Sequence, residues 1–204
     1  MLDGKDKVKL IQTTDYPWDG KITIDVEKAP AGKPFAINLR IPEWCDKALI
    51  TINGKEFAGE NKSNTYRVIN RAWKKGDKVE LLLDMPVKLI ESNPLVEETR
   101  NQTTVKRGPL VYCLEAIDIE GGKNIDDVLI PSTMQFTTRK VLIAGSPVVV
   151  LDAKARLTNQ ASWKNTLYRE VGKSNDTVRI TLIPYYAWGN RGKADMTVWM
   201  PLIK

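Results

Sequence analysis

Two carboxylates flank aromatic residues in the segment "DYPWDG", residues 15 to 20, where a hydrolytic site could be built. Asp15 and Asp19 could act as general acid and base in glycoside hydrolysis, which uses two carboxyl groups roughly 5–10 Å apart. The alternative is structural: the aspartates cap a turn, and Trp18 packs against a neighbouring domain. Tyr16, Trp18 and Asp19 are therefore candidate contacts to a carbohydrate or to another domain.

A cysteine provides the second candidate, in the segment "KRGPLVYCLE", residues 106 to 115. A nucleophilic thiol needs a lowered pKa, which a neighbouring base or a helix N-terminus supplies. Cys113 lies in the middle of a predicted strand, and the chain contains no histidine. We interpret the segment as a structural joint, in which Gly108 permits a bend, Pro109 withholds a hydrogen-bond donor and Arg107 lies beside the turn.

The residue inventory restricts the remaining chemistry. Without histidine, neither a Ser-His-Asp nor a Cys-His arrangement can be assembled from this chain. Cys45 and Cys113 are too few for a structural zinc site, so no metal, no cofactor and no catalytic residue is predicted. The two cysteines fall in different predicted domains, and we expect them not to form a disulfide.

Aromatic residues and glycines are concentrated in the segment "YYAWGNRG", residues 185 to 192. Tyr186 and Trp188 could stack on a sugar ring, with Arg191 as a further candidate contact. The same residues could dock a neighbouring domain, or the tryptophan could be buried in the core, as is usual in sandwiches. Glycine allows this loop a positive φ, and loops on a rigid scaffold often carry function.

The net charge of +6 would favour nucleic-acid binding only if the positive charges were clustered. Lysine and arginine alternate with aspartate and glutamate along the chain, so we predict no nucleic-acid partner. No apolar run is long enough for a transmembrane helix, and no membrane partner is expected. The first ten residues lack the apolar segment of a signal peptide. A periplasmic or secreted location is expected only if a parent protein is exported.

Apolar and polar residues alternate with a period of two along most of the chain, which predicts β-strands. Asn53-Gly54 follows one such strand and favours a hairpin. A helical turn is predicted only at residues 124–130, with Asn124 as its cap. About thirteen or fourteen short strands, one of them at residues 167–172, predict an all-β protein with two antiparallel sandwiches of jelly-roll or immunoglobulin type.

The boundary between the two sandwiches is predicted in a proline-containing, charged segment at residues 84–102. The first sandwich is expected to cover residues 15–87. The second is expected to cover residues 1–14 and 88–204, which makes the first an insertion.

Six motifs in a fixed order resemble a known family. They are similar to the region that follows the catalytic barrel in glycoside hydrolase family 127, bacterial enzymes of the β-L-arabinofuranosidase type. The motifs are "TDYPWDG" (14–20), "LRIPEWC" (39–45), "INGK" (52–55), "INRAWKKGD" (69–77), "LDMPV" (83–87) and "KRGPLVYCLE" (106–115). "PYYAWGNRG" (184–192) and "MTVWMP" (196–201) resemble the closing strands of the same region.

The resemblance implies an accessory role. In that family an (α/α)6 barrel holds the chemistry, with a cysteine nucleophile, an acidic residue and a zinc ion. Cys45 and Cys113 lie in sandwich motifs and match none of those catalytic cysteines, so no catalytic residue is carried over. We expect a non-catalytic region that supports or flanks a carbohydrate-degrading barrel as its partner, without activity of its own. A free-standing carbohydrate-binding module or a protein-interaction domain is the alternative.

Overall fold

The structure is a computed structural model that describes residues 6–158, 166–170 and 176–204. The described residues form sixteen strands and four short 3-10 turns, and the predicted all-β class is confirmed. No helix within these ranges is long and apolar enough to cross a membrane. Of the strand predicted at 167–172, residues 167–170 are not in a strand, and the remainder lies outside the described residues.

The chain divides into two units, Met1–Pro86 and Val87–Lys204. The first unit is a sandwich of a five-stranded sheet, in the order β1-β2-β7-β4-β5, and a two-stranded sheet of β3 and β6. Side chains from both sheets form one apolar core. The strands are β1 Lys9–Thr14, β2 Lys21–Lys28, β3 Pro34–Ile41, β4 Ala48–Ile52, β5 Lys55–Glu56, β6 Thr65–Ala72 and β7 Lys78–Leu83.

The first strand corrects the predicted division of the chain. Residues 1–14 were assigned to the second sandwich, but β1 pairs with β2, from Lys9 opposite Lys28 to Thr14 opposite Ile22. The first unit is therefore not inserted between two parts of the second. The reason is local, since strands joined by a short connection usually pair with each other.

Two turns of the first unit are tied together by hydrogen bonds. Asn53 and Gly54 have φ values of 51° and 77°, as a type I′ turn requires, and they form the predicted hairpin between β4 and β5. The Asn53 amide donates to Asp77 Oδ1 over 2.8 Å, and Lys78 N donates to Asn53 Oδ1 over 2.8 Å. The hydrogen bond from Asn53 holds the pKa of Asp77 below its usual value. The asparagine therefore fixes two turns, not one.

The second unit contains a closed ring of six strands in the order β10-β14-β13-β11-β16-β9. β11 and β16 pair in parallel, and the other neighbours in the ring are antiparallel. The sequence predicted a sandwich of two open sheets for this unit. The six strands instead close into a ring, which has no open sheet edge. The strands are β8 Val87–Ile90, β9 Gln102–Arg107, β10 Leu110–Ile119, β11 Val128–Pro131, β12 Phe136–Ile143, β13 Ser146–Leu157, β14 Thr177–Pro184, β15 Met196–Thr197 and β16 Met200–Ile203.

The described 3-10 turns lie in the connections between strands of the second unit, at Glu97–Thr99, Glu120–Gly122, Ile125–Asp127 and Tyr185–Ala187. At the third of these, the Asn124 side chain accepts a hydrogen bond from Asp126 N over 3.1 Å, which confirms the predicted cap. Such short turns change the direction of the chain between two strands.

The segment around Gly108 is a tight hairpin. Arg107 pairs with Leu110, so Gly108 and Pro109 alone connect β9 to β10. Gly108 has a φ of 55°, whereas proline is restricted to negative φ, and this combination corresponds to a type II′ turn with glycine first. The segment is thus a structural joint.

We predict that Gly108→Val destabilises the chain more than Pro109→Ala. Valine is strained at positive φ, so its free energy of unfolding should fall by about 1–3 kcal/mol. Proline mainly restricts the unfolded chain, and its replacement should cost about 1 kcal/mol or less. Urea unfolding of both variants gives the order, and the reverse order would assign the bend to the proline.

Candidate functional site

Strand β10 departs from alternation because it is buried on both faces. Residues Tyr112 to Glu115 are all inaccessible to solvent. Tyr112 and Leu114 belong to the apolar core of the ring, where the tyrosine hydroxyl donates to Val149 O over 3.0 Å. Burial raises the pKa of Tyr112 to about 12. Cys113 and Glu115 point to the opposite face, which is covered by the loop at 185–192.

A bulge in β10 brings two carboxylates to one side. Leu114 lies opposite Leu182 of β14, and Ile119 lies opposite Ile180, so residues 115–118 together face the single residue Thr181. In a regular strand, residues three apart point to opposite faces. The bulge removes this restriction and allows Glu115 and Asp118 to reach the same cation.

That cation is Arg191, in the loop that follows β14. Its guanidinium donates to both Glu115 and Asp118, with Nη1 lying 2.9 Å from Asp118 Oδ1. The hydrogen bonds that Arg191 donates to Asp118 and Glu115 raise the pKa of the arginine above its usual value, although burial opposes this. Glu115 also accepts a hydrogen bond from Gly189 N over 3.1 Å. We refer to Glu115, Asp118 and Arg191 as the ion cluster.

The ion cluster does not activate the neighbouring thiol. Burial, together with the charges of Glu115 and Asp118, raises the pKa of Cys113 to about 12, with only Arg191 acting in the other direction. The thiol is therefore protonated at neutral pH, unlike a nucleophilic cysteine. Cys45 is also a buried free thiol, so the expectation that the two cysteines are not bonded is confirmed.

The ion cluster anchors a loop that presents aromatic rings. Tyr185 and Trp188 are 48% and 46% exposed, and their ring planes are parallel to within 3° with centroids 6.5 Å apart. The residues are three apart across a 3-10 turn, which aligns their side chains, and Trp188 N donates to Tyr185 O over 3.1 Å. Tyr186, the other aromatic contact predicted in this loop, is also exposed.

Beside Tyr185 is an open cleft of about 520 Å³ within the second unit. Its walls come from the ends of β9 and β15 and from three 3-10 turns, and they combine two aromatic rings with carboxylate, amide and hydroxyl groups. We call it the aromatic cleft, and the residues that matter here are Glu98, Gln102, Asp126, Tyr185, Thr197 and Trp199.

The other predicted contacts belong to the first unit and have local roles. Tyr16 stacks on Trp44 with ring centroids 6.4 Å apart and planes inclined by 20°. Asp19 Oδ1 accepts a hydrogen bond from Lys21 N over 2.9 Å, as an aspartate that caps a turn does. Trp18 is half-buried, and its backbone N donates to Asp15 O over 2.8 Å. The geometry of this loop favours the structural interpretation over acid–base chemistry.

Sequence reasoning missed Glu115, Asp118 and Tyr185. A usable signal for Glu115 was its position as a charged residue inside an apolar run, "LVYCLEAI", because a carboxylate there needs a partner. For Tyr185 the signal was the spacing of three to Trp188 just after a proline that ends a strand. Nothing in the sequence predicted the bulge that brings Asp118 to the same side of the strand as Glu115.

We predict that Arg191→Met lowers the free energy of unfolding by about 3–5 kcal/mol, because it leaves the buried Glu115 carboxylate without its cation. The double variant Glu115→Gln with Arg191→Met should recover part of this loss, since the buried charge is then removed. Urea unfolding measures both.

The matched control is Arg179→Met. Arg179 pairs with Glu120 on the surface, where its side chain is 80% exposed, and its loss should change stability little. If Arg191→Met were no more destabilising than Arg179→Met, the ion cluster would not contribute to the stability of the fold.

Comparison with known proteins identifies the family. Residues 87–201 match the model of the glycoside hydrolase family 127 C-terminal domain, and residues 2–85 match that of the β-L-arabinofuranosidase GH127 middle domain. A non-reducing end β-L-arabinofuranosidase of Bifidobacterium longum subsp. longum is 28% identical over 197 residues, 92% of this chain and 29% of that protein.

Solved structures agree with the family match. A glycoside hydrolase that is 54% identical superposes with a TM-score of 0.91, covering 97% of this chain and 32% of its own. A GH127 β-L-arabinofuranosidase from Geobacillus stearothermophilus T6, 34% identical, gives a TM-score of 0.89 over 98% of this chain and 31% of its own. The chain thus spans about a third of the length of these relatives. It belongs to glycoside hydrolase family 127 and matches the middle and C-terminal domains of that family.

Proposed function

We propose that this chain is the non-catalytic part of a family 127 β-L-arabinofuranosidase, and that it supports or flanks the catalytic barrel. The observation that carries the proposal is the extent of the family match. A middle domain and a C-terminal domain account for residues 2–85 and 87–201, while the relatives are about three times as long as this chain. The remaining length of a relative is room for a separate catalytic domain.

The protonation of the two thiols supports a non-catalytic role for this chain. Cys113 is held protonated by burial and by neighbouring carboxylates, and burial also raises the pKa of Cys45. Neither thiol is therefore prepared to attack a glycosidic carbon at neutral pH. The carboxylates Glu115 and Asp118 are engaged by Arg191, which suits a structural role better than proton transfer.

Exposed apolar side chains are consistent with a docked partner. Leu49 of β4 and Leu82 of β7 are cross-strand neighbours on the outer face of the five-stranded sheet, and each is nearly half exposed. On β6 of the same unit, Tyr66 and Val68 are more than half exposed. Apolar neighbours on a sheet face are typical of surfaces that another domain covers.

The proposal predicts the behaviour of a chimera. In the Geobacillus stearothermophilus enzyme, this chain replaces the region that it matches, and hydrolysis of 4-nitrophenyl β-L-arabinofuranoside is measured. The chimera should be soluble and retain activity within about tenfold of the parent enzyme, because a supporting domain contributes no reacting group. The chain alone should give no turnover.

Two controls complete this experiment. The barrel produced without any β-domain should be insoluble or inactive, and the barrel fused to an unrelated β-sandwich of similar length should behave in the same way. Turnover by the chain alone, or a chimera no better than the unrelated fusion, would contradict the proposed role.

A further inference from the structure

The geometry points to a binding site for a neutral saccharide in the second unit, formed by Tyr185, Trp188 and the aromatic cleft. This inference goes beyond the supporting role proposed above, and it does not depend on it, because every residue involved belongs to this chain.

The two rings provide the apolar half of such a site. Tyr185 and Trp188 are each nearly half exposed, and their planes are parallel within 3°. One face of a saccharide ring carries C–H bonds, and these pack well against the negative face of an aromatic ring. Parallel exposed rings can therefore present their faces to sugar residues in a common orientation.

The aromatic cleft provides the polar half. Glu98 and Asp126 contribute carboxylates, and Gln102 contributes an amide. Within the described ranges, neither carboxylate forms a salt bridge with another residue. Both carboxylates are exposed to solvent. An ionised carboxylate only accepts hydrogen bonds, so it suits a ligand with donors, such as the hydroxyl groups of a sugar. A few polar groups beside an apolar surface are typical of small-molecule sites.

The same carboxylates define the charge of the ligand. An anionic saccharide, such as a chain of uronic acids, would bring like charges together in the cleft and would be repelled. A neutral saccharide has hydroxyl donors without that penalty. The site is therefore selective against acidic polysaccharides.

The loop that carries the rings is fixed before any ligand arrives. Arg191 binds Glu115 and Asp118, Gly189 N donates to Glu115, and the Asn190 amide donates to Ala187 O over 3.1 Å. Ala187, between the two aromatic residues, is itself buried. A loop held in this way loses little conformational entropy on binding, and that is the condition under which a shallow site still gives measurable affinity.

The test uses the whole chain in affinity gel electrophoresis, with soluble arabinan or soluble arabinoxylan in the gel as neutral probes and polygalacturonate as the acidic probe. We expect at least one neutral polymer to retard the chain and polygalacturonate not to do so. Tyr185→Ala and Trp188→Ala should each weaken binding about tenfold or more, since each removes one stacking surface.

The control is Tyr66→Ala, which removes a tyrosine that is 63% exposed on β6 of the first unit and should leave binding unchanged. The pair Glu98→Gln with Asp126→Asn keeps the size of both side chains and should also weaken binding, and circular dichroism should show all variants folded. The inference is overturned if neither neutral polymer retards the chain, if polygalacturonate does so equally, or if binding survives the double variant Tyr185→Ala with Trp188→Ala. An active chimera combined with no binding here would overturn the saccharide site alone.

Discussion

The carboxylate of Glu115 has no contact with solvent. The need to compensate its charge is the constraint on which the loop at 185–192 and its aromatic rings depend. Removing a charge from water costs several kcal/mol per ion unless a partner and further hydrogen bonds compensate. Arg191 supplies the opposite charge and Gly189 N supplies a hydrogen bond, and both come from the loop after β14. The position of that loop, and of the aromatic rings on it, follows from the need to satisfy Glu115.

The bulge in β10, a strand of the closed ring, contributes to the placement of the ion cluster. β10 pairs with β9, β14 and β15. Residues 115–118 leave the ladder with β14, while Glu115 stays paired with Met196 of β15. The bulge aims Asp118 at the cation that Glu115 already binds. A bulge in an otherwise well-paired strand places side chains without exposing an edge, and it leaves Cys113 buried and unreactive beneath the loop.

Local signals were sufficient to predict most elements of the fold. Alternation identified the strands, the Asn53-Gly54 pair identified its hairpin, and Asn124 identified its cap, because each acts through neighbours in sequence. The pairing of β1 was predicted wrongly, although its short connection to β2 is a local signal that favours pairing between these two strands. Glu115 and Asp118 could not be paired from the sequence, because alternation places residues three apart on opposite faces of a strand. The parallel arrangement of Tyr185 and Trp188 was likewise not predicted, because it depends on the 3-10 turn between them.

The central claim is that the ion cluster orders the loop that carries the aromatic rings, and amide hydrogen exchange measured by NMR tests it most directly. In the Arg191→Met variant, the amides of Trp188 and Gly189 should exchange about tenfold faster or more than in the unaltered chain, while amides in the centre of β14 keep their protection. Unchanged protection at Trp188 and Gly189 would contradict the claim. Equal loss of protection throughout β14 would also contradict it, because the arginine would then hold the whole unit together and not this loop.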